Sequence, residues 1–398
     1  MFLEGGNDEN WWSMTQLRIP AVYMRGGTSK GVFFLGDNLP ADAAERDRLL
    51  LRVIGSPDRY AKHIDGMGGA TSSTSKVVIL SKSTRPDCDV DYLFGAVAID
   101  KPLIDWSGNC GNLSAAVGPF AIHSGLVEAH GSGTVTVRIW QANIGKRILA
   151  HVPIVDGAVC EEGEFELDGV SFPSAEVKLE FLDPAAEEGD SEGAMFPTGV
   201  PIETLEIPHA GRIEATLINA GMPMVFVEVS SMGLRGTELQ ADINTRPEIL
   251  GLAEAIRSHG AVAMGLASSP AEATSKRPAT PKIAFVARPA DYAASDGKLV
   301  RADSIDILAR VFSMGQLHHA MTGTGAVALA VAAAIPGTLV HRVAGACANG
   351  QLRFGHPSGC LSVGAEVREA DGNWEVSKVT MSRSARRIME GWVLVPSR

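Results

Sequence analysis

Two runs of small residues, at 113–122 and 326–335, carry no polar face. As helices, both are buried all round. A turn rich in Gly and small polar residues precedes each. The first is Ser107-Gly108-Asn109-Cys110-Gly111-Asn112 and the second is Met321-Thr322-Gly323-Thr324-Gly325. Gly and Asn suit such turns because they tolerate left-handed backbone. A turn that opens a buried helix leaves free N–H groups at the helix start. Those groups and the helix dipole bind anions and favour a thiolate. The pairing predicts a duplicated architecture with two helix N-termini facing one site, Cys110 at one and Thr322 at the other. The blander reading is two ordinary core helices with Gly for close packing.

The remaining pattern alternates strand-like and turn-like segments. Strands are expected at 19–23 and 32–35, joined as a hairpin by Arg25-Gly26-Gly27-Thr28-Ser29-Lys30-Gly31. A helix is expected at 42–54, ended by Gly55-Ser56-Pro57. Strands follow at 77–80, 90–99, 133–141, 147–153 and 164–170, and the acidic, small-residue stretch 183–193 reads as a linker. In the second half, strands are expected at 211–218, 223–229 and 283–287, with helices at 248–259 and 304–316. After the second buried helix come a strand at 352–354, a tight turn from Gly355 to Cys360, strands at 361–367 and 374–381, and a last strand at 391–395. Residues 1–16 read as a frayed extension without the features of a signal peptide, and Met14 offers an alternative start.

A chain of 398 residues predicts two domains. Hydrophobic content of 45% with 20% charged residues is ordinary for a soluble protein, and no apolar run is long enough to span a bilayer. The net charge of −11 argues against nucleic acid or an acidic membrane as partner, but not against a small anion in a local pocket. The five cysteines, Cys88, Cys110, Cys160, Cys347 and Cys360, are scattered, which argues against a disulfide framework and for a reducing cytoplasm. Cys88 sits in a polar stretch and is expected to be exposed. No zinc pattern is present, since adjacent His318 and His319 would point apart on a helix. Gly323-x-Gly325-x-x-Ala328 is rejected as a dinucleotide site, because a helix-like stretch precedes it and no acidic residue follows at the required distance.

Chemistry concentrates at the turns. The hairpin tip carries Arg25, Thr28, Ser29 and Lys30, which suit a carboxylate; a solvated basic tip is the alternative. The loop from Asp65 to Ser75 is rich in Gly and hydroxyls and ends in Lys76 before four apolar residues. It lacks P-loop spacing. Its position implies that Lys76 is buried, and burial fits a lysine to act as a base. The alternative is a surface lysine at a strand edge.

The motifs Arg25-Gly-Gly-Thr-Ser-Lys-Gly31, Gly66-Met-Gly-Gly-Ala-Thr-Ser-Ser-Thr-Ser-Lys76, Trp106-Ser-Gly-Asn-Cys-Gly-Asn112 and Phe354-Gly-His-Pro-Ser-Gly359 resemble those of the 2-methylaconitate cis–trans isomerases, the PrpF type. The resemblance runs from about Ile19 to Val395. It implies an α+β, diaminopimelate epimerase-like fold with two pseudo-symmetric domains. Each is a curved, mostly antiparallel sheet wrapped around a central buried helix, with the site in the cleft between them. The expected bounds are 17–190 and 191–384, with the final strand, 385–398, returning to the first domain.

The resemblance places the acid/base residues at Lys76 and Cys110. It places substrate contacts at Arg25, Gly26, Thr28, Ser29, Thr74, Ser75, Asn109, Gly111, Asn112, Met321, Thr322, Gly323, Thr324, Gly325, His356 and Ser358. Amino-acid epimerases of the same fold use a cysteine at each turn; here Thr322 stands at the second, which weakens a racemase reading. The implied reaction converts trans- to cis-2-methylaconitate, or isomerises aconitate, in propionate breakdown through the methylcitrate cycle. It needs a base working near neutral pH and dipoles for a developing dienolate, and no metal or organic cofactor. The implied ligand is a small unsaturated tricarboxylate, with no nucleic acid and no membrane. A homodimer and a partnership with an iron–sulfur methylcitrate dehydratase are further expectations. Alternatives are a 4-oxalomesaconate tautomerase, a methylitaconate isomerase, or a non-catalytic accessory protein for that dehydratase.

Overall fold

The computed structural model describes residues 16–185, 194–345, 350–370 and 373–396. The expected N-terminal extension and most of the expected linker lie outside these residues. The first half contributes β1 (Gln16–Gly26), β2 (Ser29–Leu35), α1 (Ala43–Ile54), β3 (Lys76–Lys82), β4 (Val90–Val97), β5 (Ile104–Asp105), α2 (Ser114–His123), β6 (Gly133–Gln141), β7 (Lys146–Val155), β8 (Ala158–Val159) and β9 (Glu176–Leu182). The second half contributes β10 (Glu203–Ile207), β11 (Gly211–Asn219), β12 (Pro223–Glu228), α3 (Gln240–Asn244), α4 (Pro247–Ala263), α5 (Pro270–Lys276), β13 (Lys282–Ala287), β14 (Tyr292–Ala293), β15 (Leu299–Val300), β16 (Ile307–Ser313), β17 (Gln316–Leu317), α6 (Gly323–Ala334), α7 (Leu339–Ala344), β18 (Gln351–His356), β19 (Gly359–Ala370) and β20 (Asn373–Pro396).

The two halves repeat one pairing scheme. Parallel β2 and β3, antiparallel β3 and β4, parallel β4 and β6, and antiparallel β6 and β7 form the first. Parallel β12 and β13, antiparallel β13 and β16, parallel β16 and β18, and antiparallel β18 and β19 form the second. The buried helices α2 and α6 occupy the same place in each scheme. Every residue of α6 up to Ala333 is buried, as are all of α2 up to Ile122, so the absence of a polar face is answered by cover all round, from strands about α2 and from strands and α7 about α6. Both helices share one hydrophobic core. The mixed α+β class and the sheet-wrapped helices agree with the reading of the sequence.

Caps explain where the helices start and stop. Asp42 accepts the Glu45 N–H at 2.8 Å to open α1, and Gly55 closes it in left-handed geometry at φ 87°. Thr322 accepts the Gly325 N–H at 3.2 Å to open α6. β20 runs antiparallel to β19 and β9 with its first part and to β1 with its last, so it joins strands of both halves.

Several expectations are corrected. The segment 304–316 is not a helix; its middle is β16. All seven residues of β16 are buried, so its unbroken apolar run suits a strand covered on both faces. The stretch before Gly323 is therefore strand, and His318 and His319 lie outside any helix with rings stacked 4.6 Å apart. No strand forms at 164–170; one bridge, Phe165 to Ser174, flanks a turn at Asp168-Gly169. The expected turn from Gly355 to Cys360 narrows to Pro357-Ser358, because both ends pair as strand. The strands expected at 374–381 and 391–395 are parts of one strand, β20. Cys88 is buried rather than exposed.

Candidate active site

The start of α2 meets the start of α6. A Cβ on Gly111 would lie 2.7 Å from the Gly323 carbonyl carbon and the Thr324 nitrogen, and a Cβ on Gly323 would strike Gly111 in turn. Only glycine at both positions lets the two helix ends touch. Asn112 ties them further: its Nδ2 donates to Met321 O at 3.2 Å and to Thr28 Oγ1 at 3.0 Å. Its Oδ1 accepts from Nε of the buried Arg383 at 3.2 Å. Gly26 and Gly27 pack on this same turn, where Gly27 has φ 51° and a Cβ on it would lie 2.7 Å from Asn112 Oδ1.

A narrow cleft, with only about 20 Å³ of cavity volume, opens beside that contact. Ser29, Lys76, Asn109, Cys110, Gly111, Asn112, Thr322, Gly323 and Thr324 of the expected set line it, joined by Phe94, Lys282 and Met314. Lys76 begins β3 and is 7% exposed; Cys110 is 6% exposed. The Lys76 Nζ donates to the Cys110 sulfur at 3.3 Å and sits 5.1 Å from the centre of the Phe94 ring. The Leu113 N–H also reaches that sulfur, at 3.5 Å. Among the described residues, neither Lys76 nor Lys282 has a carboxylate within ion-pair distance. Ser29 Oγ and both side-chain polar atoms of Asn109 are buried without a hydrogen-bond partner.

Lys282 is the residue missed in the sequence. Burial pushes its ammonium down to about 8, with the charge of Lys76 acting in the same direction and Asp105 opposing it. Its Nζ donates to Ala279 O at 2.8 Å, and the Ala279 N–H donates to Asp105 Oδ2 at 2.9 Å. Its sequence signal is the same as that of Lys76: a lysine standing first before an apolar strand. His318 lies close enough for Lys76 and Lys282 to act on it. Burial first, then His319 and Lys76, hold it well below the usual histidine range. Its Nδ1 accepts the Ala320 N–H at 3.1 Å, leaving a buried Nε2 without a partner.

Other expected residues lie farther out. Arg25 and Thr74 line a larger, open neighbouring cleft that shares Ser29 with the first. Arg25 donates to Gly27 O, to Ser384 O and Oγ, and to Ser174 Oγ, all neutral acceptors. Burial, then Arg386, pushes it down to about 10. Ser75 Oγ turns toward His63 Nδ1 at 3.3 Å. Met321 is buried behind the turn, and Gly325 spends its N–H on the Thr322 cap. His356 and Ser358 are joined by the Ser358 N–H to His356 Nδ1, and Ser358 Oγ donates to His319 O at 2.5 Å. They adjoin the open cleft behind His319 and Gly169, which line it.

The fold is that of the diaminopimelate epimerase-like proteins. A probable proline racemase from Agrobacterium radiobacter shares it at TM-score 0.54 with 15% identity, covering 96% of this chain and 93% of that one. Residues 16–396 match the family described as PrpF protein, and the chain belongs to that family. It is 61% identical to 2-methyl-aconitate isomerase of Cupriavidus necator over 388 residues, covering 96% of this chain and 98% of the relative. It is 60% identical to the enzyme of that name from Shewanella oneidensis, with the same coverage. The crystal structure of methylitaconate-delta-isomerase superposes with TM-score 0.74 at 40% identity, covering 96% of each chain.

Proposed function

We propose that this chain is a cofactor-independent isomerase that converts trans- to cis-2-methylaconitate in propionate breakdown. The observation that carries the choice of substrate is the gap in identity: 61% and 60% to the two 2-methyl-aconitate isomerases, against 40% to the methylitaconate isomerase.

In this reading Lys76, as the free amine, takes a proton from the saturated substrate carbon that lies between a carboxylate and the double bond. The electron pair moves into the conjugated system. The former double bond then has reduced order and rotates, and the proton returns to carbon. The 3.3 Å contact lets Cys110 hand a proton to Lys76 or take one from it. Negative charge developing on the carboxylate oxygens faces the first N–H groups of α6, at Gly323 and Thr324, which the Thr322 hydroxyl leaves free. Burial of the cleft makes those dipoles count for more than they would in water.

The test is proton NMR of the purified chain, without any dehydratase, given trans-2-methylaconitate, methylitaconate and 4-oxalomesaconate in turn. Turnover of 2-methylaconitate well above the other two is expected. Faster turnover of 4-oxalomesaconate, with none of 2-methylaconitate, reverses the substrate. No turnover of any acid, with stimulation of a dehydratase, replaces the enzyme by an accessory protein.

A further inference from the structure

Ser75 stands directly before Lys76, is buried, and turns its hydroxyl to the imidazole of His63. That histidine is itself only 3% exposed. The Ala70 N–H donates to its Nδ1 at 3.2 Å, so Nδ1 is unprotonated and the Ser75 hydroxyl, at 3.3 Å, donates to it as well. A Cβ on Gly68 would lie 2.1 Å from Nδ1, so the loop backbone lies directly against the ring. One imidazole nitrogen thus touches the loop at Gly68, Ala70 and Ser75, and the next residue is the base.

Backbone bonds hold other points of the same loop. The Met67 and Gly68 N–H groups donate to Val53 O and Ile54 O at the end of α1, the Lys30 N–H of β2 donates to Ser73 O, and the Val97 N–H of β4 donates to Ser75 O. His63 and Ala70 have left-handed backbone, at φ 50° and 55°, which persists outside glycine only where the surroundings enforce it. The Asp58 carboxylate enforces the first, accepting the His63 N–H at 2.6 Å and the Lys62 N–H at 2.8 Å. The imidazole enforces the second.

A protonated Nδ1 is a donor and accepts neither bond; its proton would face that of the Ala70 N–H. Burial keeps His63 below the ordinary 6.5, while Asp58 and the Ile99 carbonyl favour the charged form. The neighbouring elements add little charge at the ring. From α1, Ile54 packs behind Gly68, and Arg52 is paired with Asp65 at 3.2 Å. From β3, Lys76 directs its Nζ to Cys110.

We infer that His63 is a positioning residue for Lys76: its neutral imidazole holds the loop from Gly66 to Ser75 closed behind the base, and protonation of Nδ1 releases that hold. The inference rests on the reading of Lys76 as the base.

The experiment is kcat/KM against pH for wild type, His63→Leu and His63→Asn. Asn offers an amide oxygen in the place of Nδ1 and does not titrate. His63→Leu should lose about 100-fold near pH 7.5, mostly in kcat because His63 does not touch the ligand, and His63→Asn should recover to within about fivefold of wild type. The ratio of the His63→Asn rate to the wild-type rate should rise at least about fivefold between about pH 7.5 and about pH 5, because the variant lacks the titrating group. Titration of the substrate is common to both proteins and cancels in that ratio. His63→Leu with wild-type turnover, or a ratio that does not change with pH, overturns the proposal. A second measurement needs no variant and no reaction: amide hydrogen exchange of wild type, corrected for the intrinsic effect of pH. Protection of residues 66–76 should fall between about pH 7 and about pH 5 while that of α2 holds. Unchanged protection of the loop counts equally against the hold. A wild type that isomerises nothing, but whose loop loses protection in acid, removes the proposed reaction and leaves the hold of His63 on the loop standing.

Discussion

The Lys76 Nζ lies 3.3 Å from the Cys110 sulfur, although the two residues come from different elements: the first position of β3 and the turn before α2. The contact joins the two sequence features that stood out as chemistry. It also puts a proton carrier on each side of one hydrogen bond, in a cleft that Lys282 also lines.

The sulfur of Cys110 should react first with an anionic alkylating agent. It lies in a cleft lined by two lysines, which gathers anions, and Leu113 N–H and Lys76 both point at it. Cys160 is more accessible, and burial, then Asp87, pushes the Cys88 thiol up and makes it less reactive. Iodoacetate followed by mass spectrometry should mark Cys110, with protection by a tricarboxylate. Modification of Cys160 or Cys360 with Cys110 untouched contradicts this.

Lys282 should make the ligand-free protein less stable at neutral pH. Its folded value of about 8 lies below the ordinary 10.5. Between these values the unfolded chain holds a proton that the folded chain has released, so stability rises with pH across that window. Below about 8 both states are charged and the full penalty of burying the ammonium is present. Lys282→Met should therefore stabilise the protein at pH 7 by on the order of 3 kcal/mol, with the gain shrinking toward pH 10.5. Urea melts at pH 7 and at pH 9.5 measure both effects. Equal destabilisation at the two pH values would mean that Lys282 supports the fold rather than the site.

Gly111→Ala should damage both fold and activity. The new methyl meets backbone of Gly323 and Thr324, which cannot turn aside as a side chain would. Overpacking of this kind costs about 1–3 kcal/mol. A displacement of α6 from the cleft should lower kcat/KM by about 100-fold. Gly251→Ala, on the exposed side of α4 where nothing lies within 4 Å of the new methyl, is a control expected to leave activity unchanged. Wild-type turnover in Gly111→Ala would show that the helix contact does not shape the site.

Much of this was legible in the sequence because local chemistry and tertiary role coincide. Asp42 and Gly55 mark the ends of α1, and the faceless runs of α2 and α6 announce full burial. The reading failed where burial on two sides erases periodicity. In β16 the run Ile-Leu-Ala-Arg-Val-Phe-Ser includes Arg310, whose charge looks like a helix surface. In the fold Arg310 is fully buried, donating to Glu238 O and Gly355 O beside the Tyr292 ring. Lys282 escaped notice for another reason. Its kinship with Lys76 exists at the level of strand pairing, and the segments before the two lysines differ in length and content.

The most direct test of the account is solvent deuterium exchange during turnover of trans-2-methylaconitate in D₂O, followed by proton NMR, for wild type, Lys76→Ala and Cys110→Ser. Wild type should isomerise the acid and wash deuterium into it. Lys76→Ala should do neither, and Cys110→Ser should isomerise slowly or not at all while retaining some exchange. If Lys76→Ala exchanges the proton at close to the wild-type rate while Cys110→Ser does not, the base is the cysteine and the central assignment is wrong.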